Sequence, residues 1–346
     1  MTDLAQRQPA NPLLSPEQVK PSRPDLMVEC LLNPGVFRFE NEVWLLVRVA
    51  ERPIQTSGQI SFPVIRNGEL EIISFEHDDP LLNTDDPREP MYDGETYLST
   101  LSHLRLFHSY DGVHFKDADR PNLTGLGSLE DYGIEDCRVS SMEDDSYVLT
   151  YTATSANGYG VGMRRTRDWK TFEEFGMILP PANKDCAIFE SPINGEYLCF
   201  HRPSGVGLGG HYLWLASSPD LTHWGKHQCL ARTRPGMWDS GRIGAGAAPI
   251  RTDRGWLAVY HGASEDNRYC LGALLLDLDN PSKVLARSEE PLMEPLEEYE
   301  RKGFFGNVVF TNGHLLDGDK LTLYYGASDS VICSAELSVS EILQTL

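Results

Sequence analysis

One hairpin pattern recurs five times along the 346 residues, and it restricts the fold more than any other property of the sequence. Each copy places strand-forming residues on both sides of a polar turn such as ENE, ING, TDRG or DGDK. The copies read NPGVFRFENEVWLLVRVA from residue 33, EDCRVSSMEDDSYVLTYTA from residue 135, DCAIFESPINGEYLCFHRP from residue 185, GAGAAPIRTDRGWLAVYHGA from residue 244 and GNVVFTNGHLLDGDKLTLYYGA from residue 306. The chain is therefore predicted to be a β-repeat protein.

After each hairpin comes a further strand and a turn centred on Asp or Asn. The clearest copies, HSYDGVHF, RTRDWKTF and SSPDLTHW, contain Asp111, Asp168 and Asp220, and LLDLDNPSKVL and AELSVSEIL are weaker versions. Units of four short strands, recurring about every 50–65 residues, are typical of β-propellers. A β-sandwich or a pair of β domains would not repeat one pattern five times. We predict an all-β, five-bladed β-propeller.

The domain organisation follows from the segments outside this repeat. The Pro-rich residues 1–25 are predicted to form an extended N-terminal arm, and residues 26–346 a single catalytic domain. An insertion at about residues 52–101 lengthens the first unit. Helical periodicity is confined to the final SEILQTL, which predicts a short C-terminal helix.

Composition excludes several classes of partner. Thirty Lys and Arg face 51 Asp and Glu, a formal net charge of −21, which argues against nucleic acid and anionic membrane surfaces. The seven cysteines show no C-x-x-C spacing, and neither a signal peptide nor a membrane span is evident. No metal-binding motif is present. We predict a cytoplasmic protein without a metal or cofactor; the sequence leaves self-association open.

The innermost strands of a propeller line its central funnel, so repeat-equivalent positions there should lie close together. In the second strands of the hairpins that position is occupied by Arg48, Thr152, Arg202, His261 and Gly326. The hairpins begin with Asn33, Asp136, Asp185, a glycine near Gly244, and Asn307. Each residue alone has an ordinary structural explanation, but ionisable groups at equivalent inner positions predict a functional site.

Strand alternation separates the two acids of GIEDCR. Glu135 and Asp136 should point to opposite faces, so only one can face the funnel. Asp136 is the one in register with Asn33 and Asp185.

One central carboxylate surrounded by cations favours a particular chemistry. Glycoside hydrolysis normally requires two carboxylates, an acid and a base or nucleophile. An attacking phosphate brings its own negative charge, so cations should replace the second carboxylate. The cations near the inner strand ends are Lys184, Arg202, Arg242 and His261. This pattern favours phosphorolysis.

The chain resembles the mannoside phosphorylases of glycoside hydrolase family 130, which are five-bladed β-propellers. The resemblance rests on an ordered set of short motifs: GIEDCR (133–138), YTA (151–153), NKD (183–185), HRP (201–203), WDSGRIGAG (238–246), YHG (260–262), NVVF (307–310) and YYGASD (324–329). It implies an inverting reaction in which inorganic phosphate attacks a terminal β-mannosyl unit of a small oligosaccharide. The products implied are α-mannose 1-phosphate and a shortened acceptor.

The same resemblance assigns roles to individual residues. It implies that Asp136 is the general acid, passing its proton through the mannose O3 hydroxyl. The phosphate-binding residues implied are Lys184, Arg202 and His261, and the sugar-binding residues are Asn33, Arg48 and Asp329; Asp239 and Arg242 are implied neighbours of the site.

Two alternatives and two departures from the family pattern accompany this interpretation. Some relatives hydrolyse β-1,2-mannosides, with glutamates in place of the phosphate-binding cations, and a carbohydrate-binding propeller without catalysis is the third hypothesis. Cys137 stands where many relatives have proline, and the 52–101 insertion, which differs among subgroups, is expected to border the acceptor site. The linkage stays open between β-1,2 and β-1,4, with β-1,2 favoured.

Overall fold

The computed structural model describes residues 3–86, 89–205 and 207–346, and these residues form an all-β protein. Strands in the first third are β1 (Gln6–Arg7), β2 (Leu26–Phe39), β3 (Glu42–Pro53), β4 (Gln59–Arg66), β5 (Glu69–Glu76), β6 (Leu82–Asn83), β7 (Met91–Tyr92), β8 (Glu95–Thr96), β9 (Leu101–Ser109) and β10 (Lys116–Asp117). Next come β11 (Ile134–Ser141), β12 (Tyr147–Ser155), β13 (Gly158–Thr166), β14 (Glu173–Leu179), β15 (Asn183–Ile188), β16 (Tyr197–Pro203), β17 (Leu213–Ser218) and β18 (Gly225–Ala231). The last are β19 (Arg242–Ala245), β20 (Ile250–Thr252), β21 (Gly255–Ala263), β22 (Tyr269–Leu276), β23 (Val284–Arg287), β24 (Val309–Asp317), β25 (Lys320–Ala327) and β26 (Val331–Ser338).

Helical structure is scarce among the described residues. A 3₁₀ turn spans Pro16–Gln18, and the two α-helices are α1 (Glu298–Arg301) and α2 (Val339–Gln344). The predicted C-terminal helix is thus present, capped by Ser338, whose hydroxyl accepts a hydrogen bond from the Glu341 amide. Neither helix could span a bilayer, and the described part of the chain has no other candidate.

Five antiparallel sheets, numbered I to V along the chain, carry the repeat. In order from the edge, sheet I is β10-β9-β3-β2, sheet II is β11-β12-β13-β14, sheet III is β15-β16-β17-β18, sheet IV is β19-β21-β22-β23 with β20 paired to β21, and sheet V is β1-β26-β25-β24. Each sheet contains one of the five predicted hairpins. Sheet V joins the two ends of the chain, because Gln6 and Arg7 pair with Glu336 and Ala335.

The apolar core lies in the seams between consecutive sheets. Five clusters of buried side chains each have members on two neighbouring sheets, and the fifth cluster joins sheet V to sheet I. Examples are Phe37 and Tyr151 (I and II), Met163 and Ile188 (II and III), Phe200 and Tyr260 (III and IV), Leu271 and Leu323 (IV and V), and Tyr324 and Leu45 (V and I). The clusters join each sheet to the next and sheet V back to sheet I. The first strands of sheets I to III lie near one another, because β11 contacts both β2 and β15.

The aspartate turns of the repeat act as turn-formers. Asp111, Asp168 and Asp220 each accept hydrogen bonds from the backbone amides two and three residues further on, at 2.8–2.9 Å. Accepting these amide bonds lowers the pKa of Asp168 to about 2, because they favour the ionised carboxylate. These aspartates therefore belong to the architecture, as their repeat position indicates.

Two segments lie outside the five-sheet repeat. The described part of the predicted arm, residues 3–25, contributes β1, the 3₁₀ turn and a bridge between Leu14 and Ile332. The insertion forms the β4–β5 hairpin and the three-stranded sheet β6–β7–β8. Its Ile65 amide donates to the Asp131 carbonyl at 2.8 Å, which attaches the insertion to the segment that leads into β11.

Candidate active site

Three of the first strands carry the same backbone irregularity. Asn33, Asp136 and Asp185 all have left-handed φ values, 35°, 50° and 55°, at register shifts in β2, β11 and β15. Asn and Asp tolerate this conformation better than most residues with a Cβ. A β-bulge of this kind re-aims side chains, and here it occurs where the three strands approach each other.

Strand pairing confirms the predicted equivalence of the second strands. The five positions pair with matching first-strand residues: Leu32 with Arg48, Glu135 with Thr152, Lys184 with Arg202, Gly244 with His261, and Phe310 with Gly326. The register predicted for Asn307 is wrong. Since Phe310 takes the place of Leu32, Thr311 occupies the position of Asn33, and Asn307 lies outside β24.

A cavity of about 380 Å³ opens where these strands meet. Its lining includes six of the seven predicted site residues: Asn33, Arg48, Asp136, Lys184, Arg202 and Asp329. Arg242 and Asp185 also line it, so the cavity combines four cations with three carboxylates. In a chain with 51 acidic and 30 basic residues, this local excess of cations suits an anionic ligand.

Asp136 faces the cavity and is held by two donors. Asn33 Nδ2 and Arg48 Nη1 both donate to its Oδ1, at 3.0 and 3.1 Å. Burial by itself raises the pKa of Asp136, but the nearby charges of Arg48 and Lys184 outweigh burial and hold the pKa below its ordinary value. Without a bound anion, the carboxyl group is ionised.

Arg48 contacts both acids of the GIEDCR motif. Its Nη2 donates to Glu135 Oε1 at 2.8 Å, its Nη1 to Asp136, and its Nε to Ser102 Oγ at 2.8 Å. The prediction that only one of the two acids faces the funnel agrees with the cavity lining, which includes Asp136 but not Glu135, although both carboxylates contact Arg48. The left-handed residue at the bulge interrupts strand alternation, so both carboxylates reach one guanidinium.

The cations on the other side of the cavity have donor capacity to spare. Lys184 Nζ lies 4.7 Å from the centre of the Tyr159 ring. The Nε atoms of Arg202 and Arg242 are buried and have no hydrogen-bond partner among the described residues. Lys184, Arg202 and Arg242 all line the cavity, where an anion would accept charge-assisted hydrogen bonds from them.

Asp185 occupies the equivalent position on β15 but has a different environment. It lies 3.2 Å from Arg138 Nη2, 3.1 Å from Arg202 Nη1 and 3.3 Å from His261 Nε2. Burial opposes its charge, but Arg202, His261 and Arg138 together hold its pKa well below the ordinary value. Asp185 therefore anchors cations of the site.

His261 is the one predicted site residue that does not line the cavity. Its side chain is completely buried behind Asp185 and Arg202, with its ring 4.1 Å from that of Phe310. Burial lowers the pKa of His261 to about 4, so the ring is neutral at physiological pH. Gly244 makes room for this packing, because a Cβ there would lie 2.3 Å from Asp185 Oδ2 and 2.5 Å from His261 Nε2.

Several lining residues were not predicted, whereas Arg242, an implied neighbour of the site, does line the cavity. Arg242 donates to Tyr269 Oη at 3.1 Å and to Asn267 Oδ1 at 2.7 Å, and all three line the cavity with Phe305 and Phe310. Tyr269 begins β22, the third strand of sheet IV, and Asn267 lies in the segment before it. Neither residue lies on an inner strand, where the repeat pattern predicts site residues. Asp239, an implied neighbour, instead lies in a separate buried cluster with Arg234, Tyr260 and Arg287.

The chain matches a family model and is similar to several known mannoside phosphorylases. The family model described as beta-1,4-mannooligosaccharide phosphorylase, glycoside hydrolase family 130, matches residues 90–346. A beta-1,2-mannobiose phosphorylase of Listeria innocua is 42% identical over 343 residues, covering 97% of this chain and 96% of the relative. A 1,2-beta-oligomannan phosphorylase of Thermoanaerobacter is 36% identical, covering 71% of this chain and 82% of the relative.

A solved structure agrees with these sequence matches. The beta-1,2-mannobiose phosphorylase from Listeria innocua in complex with beta-1,2-mannobiose superposes with a TM-score of 0.94 at 41% identity, covering 99% of both chains. The family match extends over most of the chain and includes the segments that carry Asp136, Lys184, Arg202 and His261. The protein belongs to glycoside hydrolase family 130.

Proposed function

We propose that this protein is a β-mannoside phosphorylase, which uses inorganic phosphate to release a terminal β-mannosyl unit as α-mannose 1-phosphate. The observation that carries the proposal is the meeting of Asp136 with Lys184, Arg202 and Arg242 in one cavity. A carboxyl group can supply a proton to the leaving sugar, and cations can hold an attacking phosphate. Similarity to the Listeria innocua enzyme supports the same conclusion.

In the proposed reaction a phosphate oxygen attacks the anomeric carbon from the face opposite the leaving group. The new C1–O–P bond forms as the C1–O bond to the acceptor sugar breaks. The proton of Asp136 reaches the departing oxygen through the mannose O3 hydroxyl, so the acceptor leaves as a neutral alcohol. The anomeric configuration inverts from β to α.

Phosphate binding also prepares Asp136 for its role. The charge of Lys184 contributes to the low pKa of Asp136 in the ligand-free protein. A phosphate bound at Lys184 neutralises that cation and adds negative charge near the carboxyl group. Both changes raise the pKa of Asp136 and favour the protonated acid that the reaction requires.

The roles of the remaining residues follow from where they lie. Arg202 lines the cavity, so its guanidinium is suited to bind phosphate directly. His261 acts on phosphate through Arg202, since its Nε2 lies 3.3 Å from Arg202 Nη1 and its ring is buried. Asn33, Arg48 and Asp329 line the cavity with Asp136, as expected for residues that hold the mannosyl unit.

For the linkage we favour β-1,2, with a mannobiose or short oligomannan as substrate. Relatives named for β-1,2-mannosides align at 42% and 36% identity, and one aligns over nearly the full length of both chains. The family description names β-1,4-mannooligosaccharides, so both linkages belong in the test.

The decisive experiment incubates the protein with β-1,2- or β-1,4-mannobiose, with and without inorganic phosphate. Mannose and mannose 1-phosphate are quantified separately, and Asp136→Asn serves as the matched inactive control. We expect mannose 1-phosphate only when phosphate is present. Equal release of mannose in both tubes would identify a hydrolase, and binding of mannobiose without turnover would favour a carbohydrate-binding protein.

We also propose that the five sheets are the blades of a β-propeller within one domain of residues 26–346, with residues 1–25 as an arm. The closed succession of apolar seams supports this arrangement. A crystal structure with five sheets around an axis through the cavity would verify it. A cytoplasmic location, self-association and the lack of a metal or cofactor stay predictions.

A further inference from the structure

Glu135 has no part in the reaction described so far, although it shares a guanidinium with the proposed acid. Its Oε1 accepts from Arg48 Nη2 at 2.8 Å, while Asp136 Oδ1 accepts from Arg48 Nη1 at 3.1 Å. The third contact of Arg48, from Nε to Ser102 Oγ at 2.8 Å, fixes the plane of the group. Arg48 is therefore oriented by Glu135 and Ser102 independently of Asp136.

We propose that Glu135 is a positioning residue that acts on Asp136 through Arg48. It fixes the guanidinium edge from which Asp136 accepts, and its negative charge offsets the positive charge that Asp136 experiences. The inference rests on the proposed phosphorolysis and assigns to the glutamate of the motif a task separate from that of its neighbour.

The charges around Asp136 show why this offset matters. The cations that face it are Arg48 from β3, Arg138 from its own strand and Lys184 from β15, while Asn33 on β2 is neutral, and Asp185 and Asp329 are the other carboxylates of the cavity. Arg138 is paired with Asp185 at 3.2 Å, and Lys184 would be paired with the incoming phosphate. Arg48 is the remaining cation, and besides Asp136 it pairs with Glu135 at 2.8 Å, while the charge of Asp329 also acts on it.

When all three cations are paired in this way, Asp136 can take up a proton. If Glu135 is neutralised, less of the charge of Arg48 is offset, so more of it acts on Asp136 and favours the ionised form of that carboxyl group. In phosphorolysis Asp136 must start protonated. A lower pKa of Asp136 therefore reduces the active fraction of the enzyme at the alkaline end of the pH range. In the reverse reaction Asp136 must start ionised, because it takes the proton from the hydroxyl group of the acceptor sugar. A lower pKa of Asp136 therefore extends activity to more acidic pH.

The test compares Glu135→Gln with the wild type in both directions. The forward assay uses saturating phosphate and whichever mannobiose the wild type cleaves, and the reverse assay uses α-mannose 1-phosphate with mannose. We expect the alkaline limb of forward kcat and the acid limb of reverse kcat both to move to lower pH, by about one unit. Titration of phosphate itself is common to both proteins and cancels from the shift.

Matched variants separate charge from structure. Glu135→Asp keeps the charge and is expected to return both limbs close to their wild-type positions. Asp317→Asn removes the carboxylate of an exposed pair with Arg38 and is expected to leave both limbs unchanged. Glu135→Ala removes the same charge without placing a buried amide, so it carries the test if Glu135→Gln does not fold.

Two results would overturn the inference, and they differ from failure of the proposed function. A lower kcat at every pH with unmoved limbs would assign Glu135 a purely structural role. Limbs that move to higher pH would show that the charge of Glu135 does not act as proposed. If the wild type itself makes no mannose 1-phosphate, the proposed function fails instead.

Discussion

Asp136 and Asp185 occupy the same position in neighbouring sheets, but the proposed reaction gives them different tasks. Both lie at a bulge in the first strand, both have left-handed φ values and both are buried. Burial opposes the charge of each, and nearby cations lower the pKa of both below its ordinary value. The backbone position thus specifies an ionised carboxylate but not its use.

The difference lies in the partners. Both oxygens of Asp185 lie within 3.1–3.3 Å of nitrogen atoms, Oδ1 near Arg138 Nη2 and Oδ2 near Arg202 Nη1 and His261 Nε2. Asn33 Nδ2 and Arg48 Nη1 both donate to Oδ1 of Asp136, so the hydrogen bonds to this carboxylate are concentrated on one oxygen. The same structural position thus carries aspartates with different partners, and we expect Asp185 to anchor cations and Asp136 to donate the proton.

The largest expected effect comes from removing the proton donor. Asp136→Asn keeps the shape and hydrogen-bonding oxygen of the side chain but cannot donate a carboxyl proton. We expect kcat for phosphorolysis to fall by about 10²–10⁴. Mannose 1-phosphate release measures the loss, and circular dichroism confirms the fold. Retention of wild-type kcat would assign the acid to another residue.

The corresponding change in the anchor should affect stability. Asp185→Asn leaves Arg138 and Arg202 buried without their compensating charge, which is expected to cost about 3 kcal/mol of unfolding free energy. Chemical denaturation measures this cost, with Asp136→Asn as the matched variant at the equivalent position. Equal stability of the two variants would contradict the division between anchor and acid.

Removal of a cation that is proposed to bind phosphate should weaken the binding of phosphate more than the binding of mannoside. Lys184→Ala and Arg202→Ala are each expected to raise the KM for phosphate about tenfold, equivalent to ~1.4 kcal/mol of binding, with little change in the KM for mannoside. His261→Ala should act in the same direction through Arg202. Lys226→Ala, which removes an exposed partner of Glu196, is the control. An equal rise in both KM values would place these cations at the sugar instead.

The smallest expected effect is on the pH dependence of stability, and it comes from His261, which is buried beside Asp185. The pKa of His261 is about 4 in the folded protein, below the ordinary value of 6.5, because burial disfavours the charged ring. The unfolded chain therefore binds the proton first as pH falls through 6.5, and stability is lost until about pH 4. Between pH 7 and 5.5 this loss amounts to about 1 kcal/mol.

Thermal unfolding across that pH window tests the contribution. His261→Gln is expected to flatten the dependence, while His77→Gln, an exposed histidine of the insertion, should leave it unchanged. A variant with the wild-type slope would show that other groups account for the acid sensitivity.

Much of this architecture could be predicted from sequence because it depends on local periodicity. The five hairpins and the pairing positions of Arg48, Thr152, Arg202, His261 and Gly326 follow from strand alternation and turn chemistry, and strand pairing confirms them. Repeat equivalence also predicted that Asp136, Asp185 and Arg202 would meet, and they line one cavity. The sequence by itself thus determined the hairpins and the residues of the inner strands that come together in the cavity.

What each residue does there depends on the tertiary structure. Alternation separates Glu135 from Asp136, but the bulge brings both to Arg48. His261 was expected to contact phosphate, yet packing of Gly244 against Asp185 places it behind Arg202. Tyr269 and Phe305 enter the cavity from segments that no inner-strand pattern identifies. Periodicity is a property of one strand, whereas charge pairing arises only where strands from different sheets converge.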